Sequence, residues 1–420
     1  MSFLCRLAAR SAWNRRITLG LMCLAIALST TLLLGIERLR HDVRSSFTQS
    51  VSGTDLIVGA RTSSVQLLLY SVFRIGGVTN NIGRNNVAAL SANPLVDWVI
   101  PLSLGDSHRG FPVLATNGTY FSHYRYGDKQ SLQLTQGEVF HGVFDTVIGA
   151  EVADRLGYKV GDKITLSHGT GSSHLQEHDD KPFTITGILA RTGTAVDRTL
   201  HIGLDGMEAI HLDWQGGTKM SGFQISAEHA AKFDLTPKSI TAIMVGLHNR
   251  TTVFRLQRDI NTMSAEPLMA ILPGVALDEL WQITGIGENI LRVVSLMVVV
   301  TGLAGLVAVI LAGLGERRRE LAILRSAGAR PRDIFMLLTI EGMAVMLTGV
   351  IVGVVISTAL IFALSPFLTA YFGVTLRASV ISMDELFLLG QIVIAGLIAS
   401  VLPALRAYRL SLSDGLTPRI

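Results

Sequence analysis

Hydrophobic positions in this chain gather into four long blocks, with a polar, strand-like stretch between the first and the second. Residues 17–36 (ITLGLMCLAIALSTTLLLGI) carry no charge over 20 positions. That is about the helix length needed to cross a bilayer core roughly 30 Å thick. Residues 293–314 form a second uncharged run; a third lies in 335–364, interrupted by Glu341, and a fourth covers 386–402 up to Pro403. The pattern predicts a leading segment at 1–16, spans at 17–36, 289–314, 335–364 and 386–405, and an extramembrane domain at 37–288. The spans are joined by a loop at 315–334 and another at 365–385, and a tail follows at 406–420. The first block is longer than the apolar core of a cleaved leader and no A-x-A-like site follows it, so it is expected to stay as a membrane helix.

Between the spans the periodicity changes. Leu39, Val43, Phe47 and Val51 recur at every fourth position, which predicts that the first helix continues beyond its apolar part. Residues 280–292 predict a helical lead into the second span, and the two segments together predict a stalk. Short apolar runs at 55–60, 111–115, 164–166, 183–189 and 268–272 predict strands, and 149–157 and 253–263 predict helices. The fold class is therefore integral membrane α-helical with four transmembrane helices, plus an α+β extracytoplasmic domain. Two subdomains are expected within it, with boundaries near 140–150 and 210–240.

Composition agrees with this division. The chain is 49% hydrophobic and 16% charged, with a mean hydropathy of +0.44, too apolar for an ordinary soluble protein. Its net charge of +4 is unevenly placed: segments 1–16, 315–334 and 404–420 together hold thirteen arginines against four acids, and the remainder carries −5. Basic loops stay on the cytoplasmic side, so both termini and the 315–334 loop are expected inside, and residues 37–288 and 365–385 outside. The basic excess thus reports topology, and no nucleic-acid partner is expected. The two cysteines, Cys5 and Cys23, both lie in or beside the first block, so the large domain folds without disulfides.

Small residues recur at four-residue spacing within the spans. Ala304, Ala308 and Ala312, and Gly349 and Gly353, are expected to pack helices against one another or against a second copy. No G-x-x-x-x-G-K-[ST], H-E-x-x-H or G-x-S-x-G occurs, so neither a phosphate loop nor a hydrolytic centre is encoded in these residues, and the chain is not expected to be an enzyme. Segment 167–180 (SHGTGSSHLQEHDD) groups His168, His174 and His178 with Glu177, Asp179 and Asp180. Imidazole and carboxylate suit a borderline metal such as zinc. A solvated hairpin loop between strands is the alternative.

The loop 316–333 (ERRRELAILRSAGARPRD) places an apolar patch between a charged turn and the breakers Gly328 and Pro331. A short helix of this kind suits docking into a soluble partner; a plain charge anchor would not require its ordered apolar core.

That loop, together with the closing PALRAYRLSLSDGL and the order of one span, large domain and three spans, resembles the FtsX/MacB-like permeases of bacterial ABC transporters. The resemblance implies a cytoplasmic amphipathic segment at 1–16 (MSFLCRLAARSAWNRR) before the first span, and an outside domain of the MacB periplasmic-core type on a protein of the bacterial inner membrane. It also implies a coupling region at Arg317, Arg318, Arg319, Glu320, Leu321, Ala322, Leu324, Arg325, Gly328 and Ala329. A separate ABC ATPase subunit would supply ATP, the chain would act as a homodimer among membrane lipids, and a periplasmic partner protein is a further expectation. The implied work is mechanotransmission to a lipid-linked, protein or small-molecule client. Alternatives are a zinc-linked ABC transport component and a membrane scaffold or sensor without transport.

Overall fold

The computed structural model describes residues 16–50, 52–78, 80–169, 178–215, 218–219, 225–316, 323–326, 328–372 and 382–409. The chain divides into two compact units. One comprises Met1–Asp42, Gly285–Phe367 and Leu376–Ile420; the other comprises Val43–Thr284 and Leu368–Thr375.

The first unit is helical. Among the described residues, four helices are long and apolar enough to cross a membrane, within Arg16–Ser50, Pro273–Glu316, Pro331–Phe372 and Met383–Arg409. The first two helices are 35 and 44 residues long, so each runs well beyond the apolar window that first marks it. Met22, Ile26, Leu306, Val345, Met346, Val350, Ile392 and Ala399 form their shared apolar core. Helix starts are marked by local chemistry. Ser382 Oγ accepts the Glu385 N–H at 3.2 Å, capping the fourth helix. At the third helix, Pro331 is the first residue and Asp333 Oδ2 accepts the Arg330 N–H at 2.8 Å. Arg38 of the first helix and Glu385 of the fourth are both buried and paired at 2.9 Å, and Arg38 also donates to Thr358 Oγ1 at 3.2 Å.

The second unit is built on one mixed sheet. Its main path runs through Leu268–Ile271, Leu56–Ala60, Ala242–Leu247, Val96–His108, Phe111–Thr116, Leu200–Gly203, Asp145–Ile148, Phe183–Leu189 and Leu134–Gly137. Neighbours are antiparallel except Phe111–Thr116 with Leu200–Gly203 and Asp145–Ile148 with Phe183–Leu189. Leu56 and Val58 enter one core while Ile57 enters another, so the continuous apolar run of this strand is buried on both faces. The short helix Ala150–Leu156 starts after Gly149 and stops at Gly157, whose φ of +70° suits glycine.

The subdomain boundary expected near 140–150 falls on a paired strand. Strand Asp145–Ile148 lies inside the sheet, hydrogen-bonded on both sides. The reason is the 13-residue strand Val96–His108: its first half pairs with Ala242–Leu247 and its second with Phe111–Thr116, joining what the turns would separate. The strand expected at 164–166 is instead two short pieces, Lys163–Ile164 and Ser167–His168, which pair with different partners.

Candidate functional site

Within the second unit, three imidazoles and one carboxylate converge. Asp106 lies on the long strand where its pairing with Phe111–Thr116 slips between Leu104 and Ser107. Such a bulge re-aims side chains, and here Asp106, Ser107 and His108 are all buried in succession. On the other edge, His168 stands opposite Asp106 in antiparallel register. His178 is anchored by its N–H to the Leu166 carbonyl at 2.8 Å. His211 ends the helix Leu204–His211, and its Nδ1 meets the Met207 carbonyl one turn back at 2.8 Å.

His168 Nδ1 lies 3.1 Å from Asp106 Oδ1 and 3.1 Å from His211 Nε2, and His211 Nε2 lies 3.6 Å from Asp106 Oδ2. One ligand-type atom from each of Asp106, His168, His178 and His211 falls within 4.8 Å of every other. The Trp214 ring covers the group, with centroids 4.4 Å from His178 and 5.6 Å from His168. Below it, the fully buried Lys181 ammonium pairs with Asp213 and lies 3.6 Å from Asp180.

Burial alone would raise the Asp106 carboxyl, but hydrogen bonding with His168 and His211 outweighs it and holds the group at about 2. Burial pushes His178 down to about 4 against the pull of Asp106. Burial also disfavours charge on His211, yet the hydrogen bond and charge of Asp106 raise it overall. These opposite shifts come from four groups sharing one pocket. By contrast, His108 is an ordinary core histidine, with one ring nitrogen 2.6 Å from the Thr165 carbonyl oxygen and the other 2.9 Å from the Tyr158 hydroxyl.

Of the three histidines singled out in the sequence, His168 and His178 enter the group. His174 lies outside the described residues. Asp106 and His211 were missed, being 62 and 43 residues from His168 with no local motif around them. The solvated-loop alternative fails for His178, which is fully buried.

In the helical unit, Arg317, Arg318, Arg319, Glu320, Leu321 and Ala322 lie outside the described residues. Leu324 packs against Ile334, Leu338 and Ala404. The turn after it is closed by Gly328 N–H to Arg325 O at 3.1 Å and Ala329 N–H to Leu324 O at 3.0 Å, with Gly328 at φ +103°. This is a Schellman cap. A methyl group at Gly349 would stand 2.8 Å from Ile26, and one at Gly353 2.7 Å from Thr30, so both glycines lie against the first helix. Ala304, Ala308 and Ala312 are exposed.

Fold and sequence together define a four-helix membrane protein with one large mixed-sheet domain. The chain matches the MacB-like periplasmic core domain over residues 19–262 and the FtsX-like permease C-terminal domain over residues 292–412. It belongs to the family of MacB-like permeases, inner-membrane proteins with a periplasmic domain. It is 28% identical over 186 residues to the macrolide export ATP-binding/permease protein MacB of Burkholderia pseudomallei, covering 44% of this chain and 25% of that protein. It is 25% identical over 280 residues to the pyoverdine export ATP-binding/permease protein PvdT of Pseudomonas fluorescens, covering 64% of this chain and 39% of that one. The chain thus spans between a quarter and two-fifths of the length of these relatives. Among solved structures, the periplasmic region of MacB from Actinobacillus actinomycetemcomitans aligns over 56% of this chain and 97% of its own, with a TM-score of 0.33 and 10% identity.

Proposed function

We propose that this chain is the permease subunit of an ATP-driven ABC transporter, two copies working with two copies of a separate ATPase subunit. The observation that carries this is the FtsX-like permease match over 292–412, which takes in the turn between the second and third long helices. In this reading both termini and the 315–334 loop are cytoplasmic, in keeping with their arginine excess. The loop docks on the ATPase, and its described end is held rigidly enough to pass on a displacement: Leu324 is packed on two helices and Gly328 closes the turn.

Within the four apolar runs Glu341 is the sole acidic or basic residue, so the spans offer no line of charges for an ion path. The work is therefore mechanotransmission: ATP-driven movement of the loop reaches the periplasmic domain, which acts on a lipid-linked, protein or small-molecule client or on a periplasmic partner protein.

The test is copurification in detergent with the ATPase encoded alongside this chain. Wild type is expected to retain the ATPase, and the charge reversal R318E/R319E is expected to lose most of it. Equal retention by both would overturn the docking assignment.

A further inference from the structure

We propose that Asp106, His168, His178 and His211 bind one borderline divalent transition-metal ion, zinc in the first place. This goes beyond the permease reading and does not depend on it.

The distances fit. A tetrahedral zinc ion with bonds of about 2.0–2.2 Å holds its donors about 3.3–3.6 Å apart. His168 Nδ1 already stands 3.1 Å from both Asp106 Oδ1 and His211 Nε2, and every donor lies within 4.8 Å of the others. Small side-chain rotations would complete the shell.

Protons alone do not satisfy the group. The Met207 carbonyl accepts from His211 Nδ1, so in the neutral ring it is Nε2 that carries the lone pair facing the cluster. A hydrogen on His168 Nδ1 can serve Asp106 or His211 fully, but not both. His178 is fully buried, and neither of its ring nitrogens has a hydrogen-bond partner among the described residues; Asp106 Oδ2 has only the long 3.6 Å contact from His211 Nε2. Leaving a buried polar group unsatisfied costs about 1–3 kcal/mol. One cation accepts electron pairs from all four side chains at once.

Charge points the same way. Asp106, Asp180 and Asp213 carry three negative charges around the group, against the single positive charge of Lys181. With neutral imidazoles the balance is −2, which a divalent ion cancels. The donor set is three nitrogens and one oxygen, with no thiol, since both cysteines fall outside this domain. That excludes a soft-metal site, and it is not the all-oxygen shell that calcium or magnesium prefers. The Met207 carbonyl on His211 is the kind of outer contact that orients a ligating imidazole. Access exists as well: a cleft of about 580 Å³ is lined by Arg74, Asn81, Asp106 and His168.

The ion would join the long strand, the Ser167–His168 strand, His178 and the end of the Leu204–His211 helix. Binding should therefore stabilise the domain as well as load it.

The test uses the full chain without a histidine tag, in detergent, stripped with chelator and titrated with zinc by calorimetry. One equivalent per chain and a rise in Tm are expected, and cobalt should give the intense visible absorption of a tetrahedral site. H178A and D106N should each weaken zinc binding about tenfold or more, at least as much as losing an outer-shell contact. H168Q alters a partly exposed side chain and keeps the test valid if the buried variants misfold; it should weaken binding too. H248A, at an exposed histidine paired with Asp97, should bind like wild type. Absence of stoichiometric binding, or binding unchanged in H168Q and H178A, would overturn the proposal. ATPase copurification is read separately and would not be affected by either result.

Discussion

A single glycine sets the exit of the turn between the second and third long helices. Gly328 sits at φ +103°, where a side chain is strained by about 1–2 kcal/mol, and its N–H closes the Schellman cap on Arg325. G328A is expected to leave membrane insertion intact while weakening ATPase retention in the copurification assay; unchanged retention would mean that the cap does not matter for docking. His201 is a residue of a different kind. It sits wholly inside strand Leu200–Gly203, and its Nδ1 lies 3.2 Å from the Val147 carbonyl oxygen. Burial, helped by the nearby Arg74, pushes it down to about 3. In the unfolded chain an imidazole titrates near ~6.5, so between those values the unfolded state binds more protons. This contribution to stability is present above pH ~6.5 and is lost as pH falls towards 3. Melting curves across this window should show Tm falling with acid, and H201Q should flatten that slope.

Among elements, the Arg38–Glu385 pair ties the first long helix to the start of the fourth, with Thr358 of the third as an additional acceptor. Both partners are buried, so removing one leaves an uncompensated charge at a cost of about 3–5 kcal/mol. E385A should lower the melting temperature in detergent markedly. The double variant R38M/E385L should recover much of the loss, because two apolar groups leave no charge unpaired. If the double variant is as unstable as E385A, the pair is not what holds these helices. Helix packing elsewhere relies on close approach: Gly349 and Gly353 let the third helix lie against Ile26 and Thr30 of the first.

At the scale of the whole molecule, the periplasmic-type domain is unified by the strand Val96–His108, which crosses from one core to the other. The same strand carries Asp106 at its bulge, so the four-residue cluster sits on the element both cores share. A metal ion bound there would tie that strand to the Ser167–His168 strand and to the end of the Leu204–His211 helix. The turn proposed to dock on an ATPase and the cluster proposed to bind metal belong to different units, so they can be tested independently.

The sequence by itself determined the four apolar helices, because a bilayer span is a local property of about 20 residues. It also determined most strands and short helices, as in Phe183–Leu189 and Ala150–Leu156, where periodicity and flanking glycines are local signals. It marked His168 and His178, since both lie in one short polar segment. Only the tertiary structure decided that Asp106 and His211 join them, that His178 is buried, and that the strand Val96–His108 links both parts of the domain in one sheet. The physical reason is the same in each case. Strand pairing and side-chain convergence join residues far apart in the chain, and nothing in the local pattern around Asp106 or His211 encodes which distant imidazole each will meet.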